Sequence, residues 1–356
     1  MGLFGRTPPP STCRVRVANA ELTFEVPRNR LLLGSALDQG VAYPHNCRVG
    51  TCGSCKTRLV SGRIRPLIDF ALSPLTAAEL KDGCILACQS KVLGDLEIEA
   101  PIARGGGVAV QRVTGRIESA QTIAADVVDL RLRLDESFRH QPGQWVSIGA
   151  RESEVRRAYS LHTPCDPAGT TEAGFYIKRL PGGAFSEWLF GADRTGIEMD
   201  LLGPFGVLGD QEIIGHNVCV AGSTGLAPVV CLIEAALEGS PQPRFTLVFG
   251  VRDAEDLFAL DRLEALAQRH PGRLRVVPML SHEPAGSRWQ GGRGLVTEAL
   301  TADLEIDPET TQAFLCGGVA MVDACERRLR ELGVAPERVH ADRFVPTGAT
   351  VAAITV

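Results

Sequence analysis

The chain has 356 residues, 44% of them hydrophobic and 22% charged, which is ordinary for a soluble protein and long enough for two or three domains with sizeable cores. Its formal charge of -5 comes without a basic stripe, and no apolar run approaches the roughly eighteen residues of a membrane span, so neither nucleic acid nor a membrane is an expected partner. The mild negative excess suits docking onto a basic patch of another protein. Residues 1–10 are too short and too weakly apolar for a signal peptide, which points to the cytoplasm, and residues 1 to about 11 read as a disordered tail.

Residues 14–25 alternate apolar and polar side chains through two short strands, and residues 31–37 start a helix ahead of a cysteine-rich loop. Further strands are expected around residues 57–60 and 95–98. Arg104-Gly105-Gly106-Gly107 then has the composition of a linker, which bounds a first domain at residues 12–103. Within it Cys47, Cys52, Cys55 and Cys88 follow the C-x4-C-x2-C…C spacing of a plant-type 2Fe-2S cluster. Gly50 and Gly53 let the backbone wrap closely, so that N–H groups can point at sulfur and offset the charge of four thiolates. Structural zinc is the competing reading, although zinc sites usually pair two short knuckles and only one is present. Cys84 rivals Cys88 as fourth ligand on spacing alone, while the Leu-Ala-Cys-Gln context favours Cys88. The other cysteines are scattered, and an odd total of eleven argues against a disulfide framework. The polar loop from His45 to Ser54 is the expected exposed edge for electrons to leave.

Residues 110–209 read as strands and turns. Residues 127–134 alternate cleanly, and Pro142-Gly143 and Pro181-Gly182-Gly183 mark turns, which fits a mostly antiparallel barrel. Arg157-Ala158-Tyr159-Ser160 sets a cation, an aromatic ring and a hydroxyl at a strand end, and the Pro-Gly-Gly turn leads into a short helix over residues 185–190. A flavin needs these groups: a ring to stack on, a hydroxyl near its reactive nitrogen, and backbone N–H groups for its diphosphate. A core tyrosine beside a solvated arginine and an ordinary turn explains the same residues equally well in isolation.

Residues 215–345 change to buried strand, glycine turn and amphipathic helix, the grammar of a parallel α/β sheet. Val220-Ala221-Gly222-Ser223-Thr224-Gly225 is a strand running into a turn that can seat a pyrophosphate, though it is not G-x-G-x-x-G. Phe314-Leu315-Cys316-Gly317-Gly318 repeats the arrangement at what should be the carboxyl edge of the same sheet. The histidines show no H-x-x-H spacing, and Glu337 to His340 is a lone E-x-x-H where a di-iron oxygen-activating site needs a pair.

Taken in order, the cysteine loop, R-x-Y-S, P-G-G, G-x-T-G-x-x-P and C-G-G resemble the ferredoxin-NAD(P)H reductase superfamily with an N-terminal plant-type ferredoxin domain, and in particular the reductase components of bacterial multicomponent oxygenases. The resemblance implies a multidomain chain: a β-grasp ferredoxin domain, an antiparallel β-barrel for FAD and an α/β parallel-sheet domain for NAD(P)H. It implies cluster ligation by Cys47, Cys52, Cys55 and Cys88, and flavin contacts from Arg157, Tyr159 and Ser160. Gly182, Gly183 and Ser186 would lie around the diphosphate. Gly222, Thr224, Gly225 and Gly317 would form the nicotinamide-nucleotide turns, and Arg252 and Asp256 would meet the adenosine ribose. Cys316 would lie beside the nicotinamide, with Asp342 and Phe344 near the flavin. Asp342 stands where many relatives carry Glu, and a tail follows Phe344. The segment 63–73, between the third and fourth ligands, is unusual and reads as surface for a partner.

The expected function is NADH-dependent electron transfer through FAD and the cluster to a terminal oxygenase component or an intermediate ferredoxin, with NADPH left open by Arg252 and a monomer expected. A flavin is implied because a nicotinamide delivers two electrons at once and a cluster accepts one. The alternatives are a stand-alone reductase of free ferredoxin or small acceptors, and a non-enzymatic redox-sensing module.

Overall fold

A computed structural model describes residues 11–20, 22–41, 43–45, 50, 53–100, 102, 108–153, 155–164, 166–284 and 286–344. The chain forms two compact units, Met1–Val110 and Gln111–Val356. The expected tail at residues 1–10, the glycine linker and the segment after Phe344 lie outside the described residues.

In the first unit β1 (Thr12–Val17) and β2 (Leu22–Pro27) pair antiparallel, and α1 (Leu32–Asp38) follows. Then come β3 (Lys56–Ser61), β4 (Ile64–Pro66), the single-turn α2 (Ala77–Lys81), β5 (Cys84–Leu86), β6 (Ser90–Val92) and β7 (Leu96–Glu99). The main sheet has the order β2-β1-β7-β3-β5, and β4 pairs with β6 in a separate ribbon. The first and last strands lie side by side in parallel, which is the β-grasp arrangement. Alternation explains its core: Cys13, Val15 and Val17 point inward with Phe24 and Val26, against Leu32, Leu33 and Ala36 of α1.

The second unit opens with six antiparallel strands, β8 (Gln111–Ala124), β9 (Val127–Phe138), β10 (Trp145–Ala150), β11 (Arg157–Ser160), β12 (Thr170–Lys178) and, after α3 (Ala184–Phe190), β13 (Glu198–Phe205). Their order is β11-β10-β13-β8-β9-β12. A Leu161–Phe175 bridge and a bond from the His162 N–H to Gly174 O (2.9 Å) bring the end of β11 onto β12, so the sheet curls into a barrel. Its interior is filled by Leu130, Leu132, Ile148, Phe175, Ile177 and Leu201, among others.

A parallel sheet follows: β14 (His216–Gly222), α4 (Leu226–Gly239), β15 (Arg244–Val251), α5 (Leu260–Arg269), β16 (Leu274–Leu280), β17 (Gly292–Arg293), α6 (Val296–Ala299), β18 (Gln312–Gly318), α7 (Val319–Glu331) and β19 (Val339–Phe344). The strand order is β17-β16-β15-β14-β18-β19. Both faces are covered, so the central strands are apolar throughout. Cys219 and Ala221 face α4 and α5, and Val218 and Val220 face α6 and α7. The order reverses between β14 and β18, which opens a crevice at their carboxyl ends.

Candidate functional site

Of the four expected cluster ligands, Cys47 and Cys52 lie outside the described residues, and Cys55 and Cys88 are both buried. The backbone N–H of Cys88 donates to Cys55 Sγ (3.5 Å), and Gln89 Nε2 donates to Cys88 Sγ (3.7 Å). These are the donors that thiolates need. Gly50 and Gly53 have φ of +88° and +73°, and a Cβ on Gly50 would lie 2.7 Å from Ile68 Cδ1, so the loop takes its path only with glycine there. Cys84 begins β5 opposite Arg58, while Cys88 sits in the 3-10 turn after that strand, which favours Cys88 over its rival. One expectation is corrected. His45 is only 3% exposed, with Nδ1 2.8 Å from Tyr43 O, and the ring of Tyr43 is itself buried with its hydroxyl 2.5 Å from Thr57 Oγ1. His45 belongs to the packed floor of the loop and not to an exposed edge.

In the second unit the crevice at the strand switch is built from two turns that nest. β14 ends at Gly222, Ser223 follows with φ +50°, and Gly225 starts α4. A Cβ on Gly225 would lie 2.2 Å from Cys316 O and 2.6 Å from Cys316 C, so only glycine lets this turn approach the end of β18. A cleft of about 300 Å³ opens beside them, lined by Gly222, Arg252, Asp256, Ser281 and Gly318 among others. Thus the structure gathers Gly222, Arg252 and Asp256 on one cleft, with Gly225, Cys316 and Gly317 at its edge. Thr224 lies in the same turn as Gly222. Asp256 accepts from the Asp253 N–H (3.4 Å) and faces the exposed Arg252 at 3.8 Å.

The parallel register sets Cys316 beside Asp342 and Gly318 beside Phe344. Strand alternation then divides the H-A-D-R-F motif. Arg343 turns to α7 and pairs with Asp323 (2.9 Å) and Glu326 (2.6 Å), while His340, Asp342 and Phe344 share the other face. Burial holds the Cys316 thiol well above its ordinary range, and the Asp342 charge adds to this, so it is a neutral thiol at neutral pH. Burial also lifts the Asp342 carboxyl to about 6, against the pull of Arg343.

On the barrel, β11 is an edge strand carrying Arg157, Tyr159 and the buried Ser160. The Tyr159 ring lies 5.4 Å from that of Phe185 in α3, and burial keeps its phenol protonated. Arg157 donates to Arg156 O (2.8 Å) and has no carboxylate partner among the described residues, which leaves its charge available to an anion. Pro181-Gly182-Gly183 does lead into α3, with Gly182 at φ +72°. Ser186 lies on the same turn: its hydroxyl accepts from the Leu180 N–H (3.1 Å) and is 3.2 Å from Gly183 O, so it closes the turn from inside.

Family models match the chain in three successive blocks, a 2Fe-2S iron-sulfur cluster binding domain at residues 15–93, an oxidoreductase FAD-binding domain at 114–209 and an oxidoreductase NAD-binding domain at 219–327. The electron transfer component XylA of the xylene/toluene monooxygenase of Pseudomonas putida is 40% identical over 343 residues, covering 96% of both chains. The chain belongs to the reductase components of multicomponent oxygenases. The reductase component of the naphthalene 1,2-dioxygenase system of Pseudomonas putida is 32% identical over 90% of this reductase and 98% of its own length. Among solved structures, the Amycolatopsis cytochrome P450 reductase GcoB superposes with a TM-score of 0.78 at 31% identity, covering 94% of this reductase and 99% of that chain.

The fold therefore carries binding domains for all three redox groups, and the residues present suit them. Paired, N–H-solvated thiols fit an iron-sulfur cluster, and an unpaired arginine beside an edge-strand tyrosine fits an anionic flavin cofactor. A glycine-lined crevice at a switch point fits a dinucleotide. Sequence reasoning missed a polar network within the second unit of this reductase. Arg262 of α5 donates to His162 Nδ1 (3.1 Å), His162 O (2.8 Å), the Tyr176 hydroxyl (3.2 Å) and Glu234 Oε2 of α4 (2.6 Å). An arginine only donates, so His162 Nδ1 accepts, and Nε2–H is left to donate to Asp129 Oδ1 (2.8 Å). The network ties barrel strands β9 and β12 to helices α4 and α5. Its members are scattered along the chain in no motif, so no sequence pattern marks them.

Proposed function

We propose that this reductase takes electrons from NADH and passes them, through FAD on the barrel and a 2Fe-2S cluster in the first unit, directly or by way of an intermediate ferredoxin, to an oxygenase component that hydroxylates an aromatic or hydrocarbon substrate. The observation that carries this reading is end-to-end similarity to an oxygenase electron-transfer component, with all three binding domains in one chain. When bound, the flavin converts a two-electron donor into one-electron output.

The chain's own residues supply binding and alignment. Arg157 would neutralise the FAD diphosphate, Tyr159 would present its ring to the isoalloxazine, and Ser160 would hydrogen-bond at its edge. Gly182 and Gly183 would bring backbone N–H groups to the diphosphate, with Ser186 holding that turn shut. Gly222, Thr224 and Gly225 would seat the nucleotide pyrophosphate, and Cys316 and Gly317 would form the apolar wall beside the nicotinamide. Asp342 and Phe344, on the strand next to Cys316, would close the flavin side. Cys47, Cys52, Cys55 and Cys88 would hold the cluster. NADH is favoured over NADPH because Arg252 stands among Asp253, Glu255 and Asp256, which disfavour a 2′-phosphate.

Anaerobic titration of the purified holoprotein with NADH, following flavin and cluster absorbance together, tests the relay. Bleaching of both bands is expected. Flavin bleaching with an unchanged cluster band, in protein with assayed iron and sulfide, would overturn it.

A further inference from the structure

The net charge of the chain hides a division. Met1–Val110 carries thirteen basic and nine acidic residues, while Gln111–Val356 carries twenty-four basic and thirty-three acidic. Within the first unit several acids are already neutralised on the main sheet, where Arg16 pairs with Glu97, Lys56 with Glu79 and Arg58 with Glu99. Of the seven cations with no carboxylate partner among the described residues of this unit, Arg28, Arg30, Arg63, Arg65 and Lys91 lie together, and Arg14 and Lys81 stand apart. β4 and β6 set Arg65 opposite Lys91, the Leu93 N–H bonds Arg63 O (3.0 Å), and the turn 28–31 lies against β6 through Asn29 N to Val92 O (2.7 Å). Arg65 also donates to Asn29 Oδ1 (2.8 Å), which joins the three strips into one surface.

This ribbon runs directly into the cluster loop. The Leu67 N–H bonds Gln89 O (2.8 Å), and Gln89 Nε2 donates to Cys88 Sγ, so a short hydrogen-bonded path leads from the ribbon to a cluster ligand. Ile68 abuts Gly50 and Pro74 abuts Gly53. Beyond the ribbon, Leu67 is 48% exposed and Leu72 is 87% exposed, two large apolar side chains on the surface of the described residues. A cationic rim around an exposed apolar centre is how a transient electron-transfer interface is built.

We propose that the surface formed by residues 28–31, 63–72 and 91 is the docking face for the acceptor protein, and that this acceptor presents an acidic surface. This rests on the relay reading above and reverses the expectation, drawn from net charge, of an acidic face meeting a basic partner. The Asp69 carboxyl, the one acid within 63–72, caps its own turn by accepting from the Ala71 N–H (3.0 Å).

The test uses the holoprotein and two probes, native cytochrome c, which is basic, and its succinylated, acidic derivative. Binding is measured by calorimetry and turnover by NADH-driven reduction, so that the two claims fail separately. The acidic derivative is expected to bind at least about tenfold more tightly at low salt, with the preference fading as salt is added. Substitution of Arg63→Glu, Arg65→Glu and Lys91→Glu together should remove that preference and leave cluster bleaching by NADH unchanged. Leu72→Ser, at a position with no packing role, should weaken binding without altering the salt dependence. Equal binding of both probes, a preference for the basic one, or a triple variant that keeps its preference would overturn the inference. So would slowed cluster bleaching in a triple variant that still binds, because the ribbon then serves internal transfer. Stoichiometric displacement of the acidic probe by a duplex oligonucleotide at physiological salt would overturn it too. Failure of NADH to bleach the cluster in the unaltered protein refutes the relay and leaves the binding result to be read by itself.

Discussion

Replacing Arg262 by Met keeps much of the side-chain length and removes the charge and the four hydrogen bonds that Arg262 donates. Glu234, with only 9% of its side chain exposed, loses its 2.6 Å partner but retains Arg269 at 3.1 Å. Breaking a buried pair costs about 3–5 kcal/mol when nothing remains to neutralise the other charge, so the surviving Arg269 puts the loss near the bottom of that range. His162 Nδ1 and the Tyr176 hydroxyl each lose a donor as well, at about 1 kcal/mol apiece where water cannot reach them. The expected destabilisation is about 5 kcal/mol, or a fall of very roughly 15 °C in the unfolding temperature of a unit this size. The assay is chemical and thermal unfolding of Arg262→Met, Glu234→Gln and the double variant. Removing both partners leaves no stranded charge, so the double variant should be more stable than Arg262→Met alone. A loss below about 1 kcal/mol in Arg262→Met, or a double variant less stable than either single one, would refute the reasoning.

Cys88→Ser should abolish the cluster, read as loss of iron, sulfide and visible absorbance, whereas Cys84→Ser should retain all three. Gly225→Ala drives a methyl into the Cys316 carbonyl, which is backbone and cannot swing aside; a loss of about 1–3 kcal/mol and weaker NADH binding are expected by unfolding and titration. kcat/KM should favour NADH over NADPH by at least about tenfold, the equivalent of roughly 1.4 kcal/mol, in steady-state assays. The Asp342 pKa is raised to about 6, so its contribution is fully favourable below the unfolded value and is lost as pH rises through 6. Asp342→Asn should therefore stabilise flavin-free protein by about 3 kcal/mol at pH 8, and the gain should fall below about 1 kcal/mol near pH 4 when unfolding is followed across pH.

The parts of the fold that were legible in the sequence are those carried by local periodicity and turn chemistry. Residues 127–134 alternate and lie within β9, and the glycine turns at Gly222 and Gly317 end β14 and β18 as their spacing implies. The cysteine spacing was legible because the first three expected ligands, Cys47, Cys52 and Cys55, and the glycines among them fall within nine residues of sequence. What was not legible depends on register between distant strands. Nothing local says that Asp342 stands beside Cys316, or that Arg343 turns away from it. His45 looked polar and exposed, yet tertiary packing buries it by giving its ring nitrogen the Tyr43 carbonyl. Net charge is uninformative for a related reason, since it sums over two units of opposite sign.

The Arg262 network also bears on why a reductase would hold two nucleotide-binding modules with polar contacts where apolar ones would fold as well. Apolar packing is non-directional, and the core that includes Val127, Tyr176 and the residues of α4 could tolerate small shifts of the barrel against the helices. A guanidinium that bonds a histidine nitrogen, its own carbonyl, a phenol and a carboxylate at once cannot, because its fork geometry is satisfied in one orientation. Alignment matters more than adhesion here, since a displacement of about 1 Å between reacting groups costs on the order of a hundredfold in rate. Stability and alignment should therefore come apart in the double variant of Arg262→Met and Glu234→Gln. Its unfolding temperature recovers toward that of the unaltered protein, while flavin bleaching by NADH in stopped flow stays slow. Recovery of both together would mean that the network only holds the unit folded.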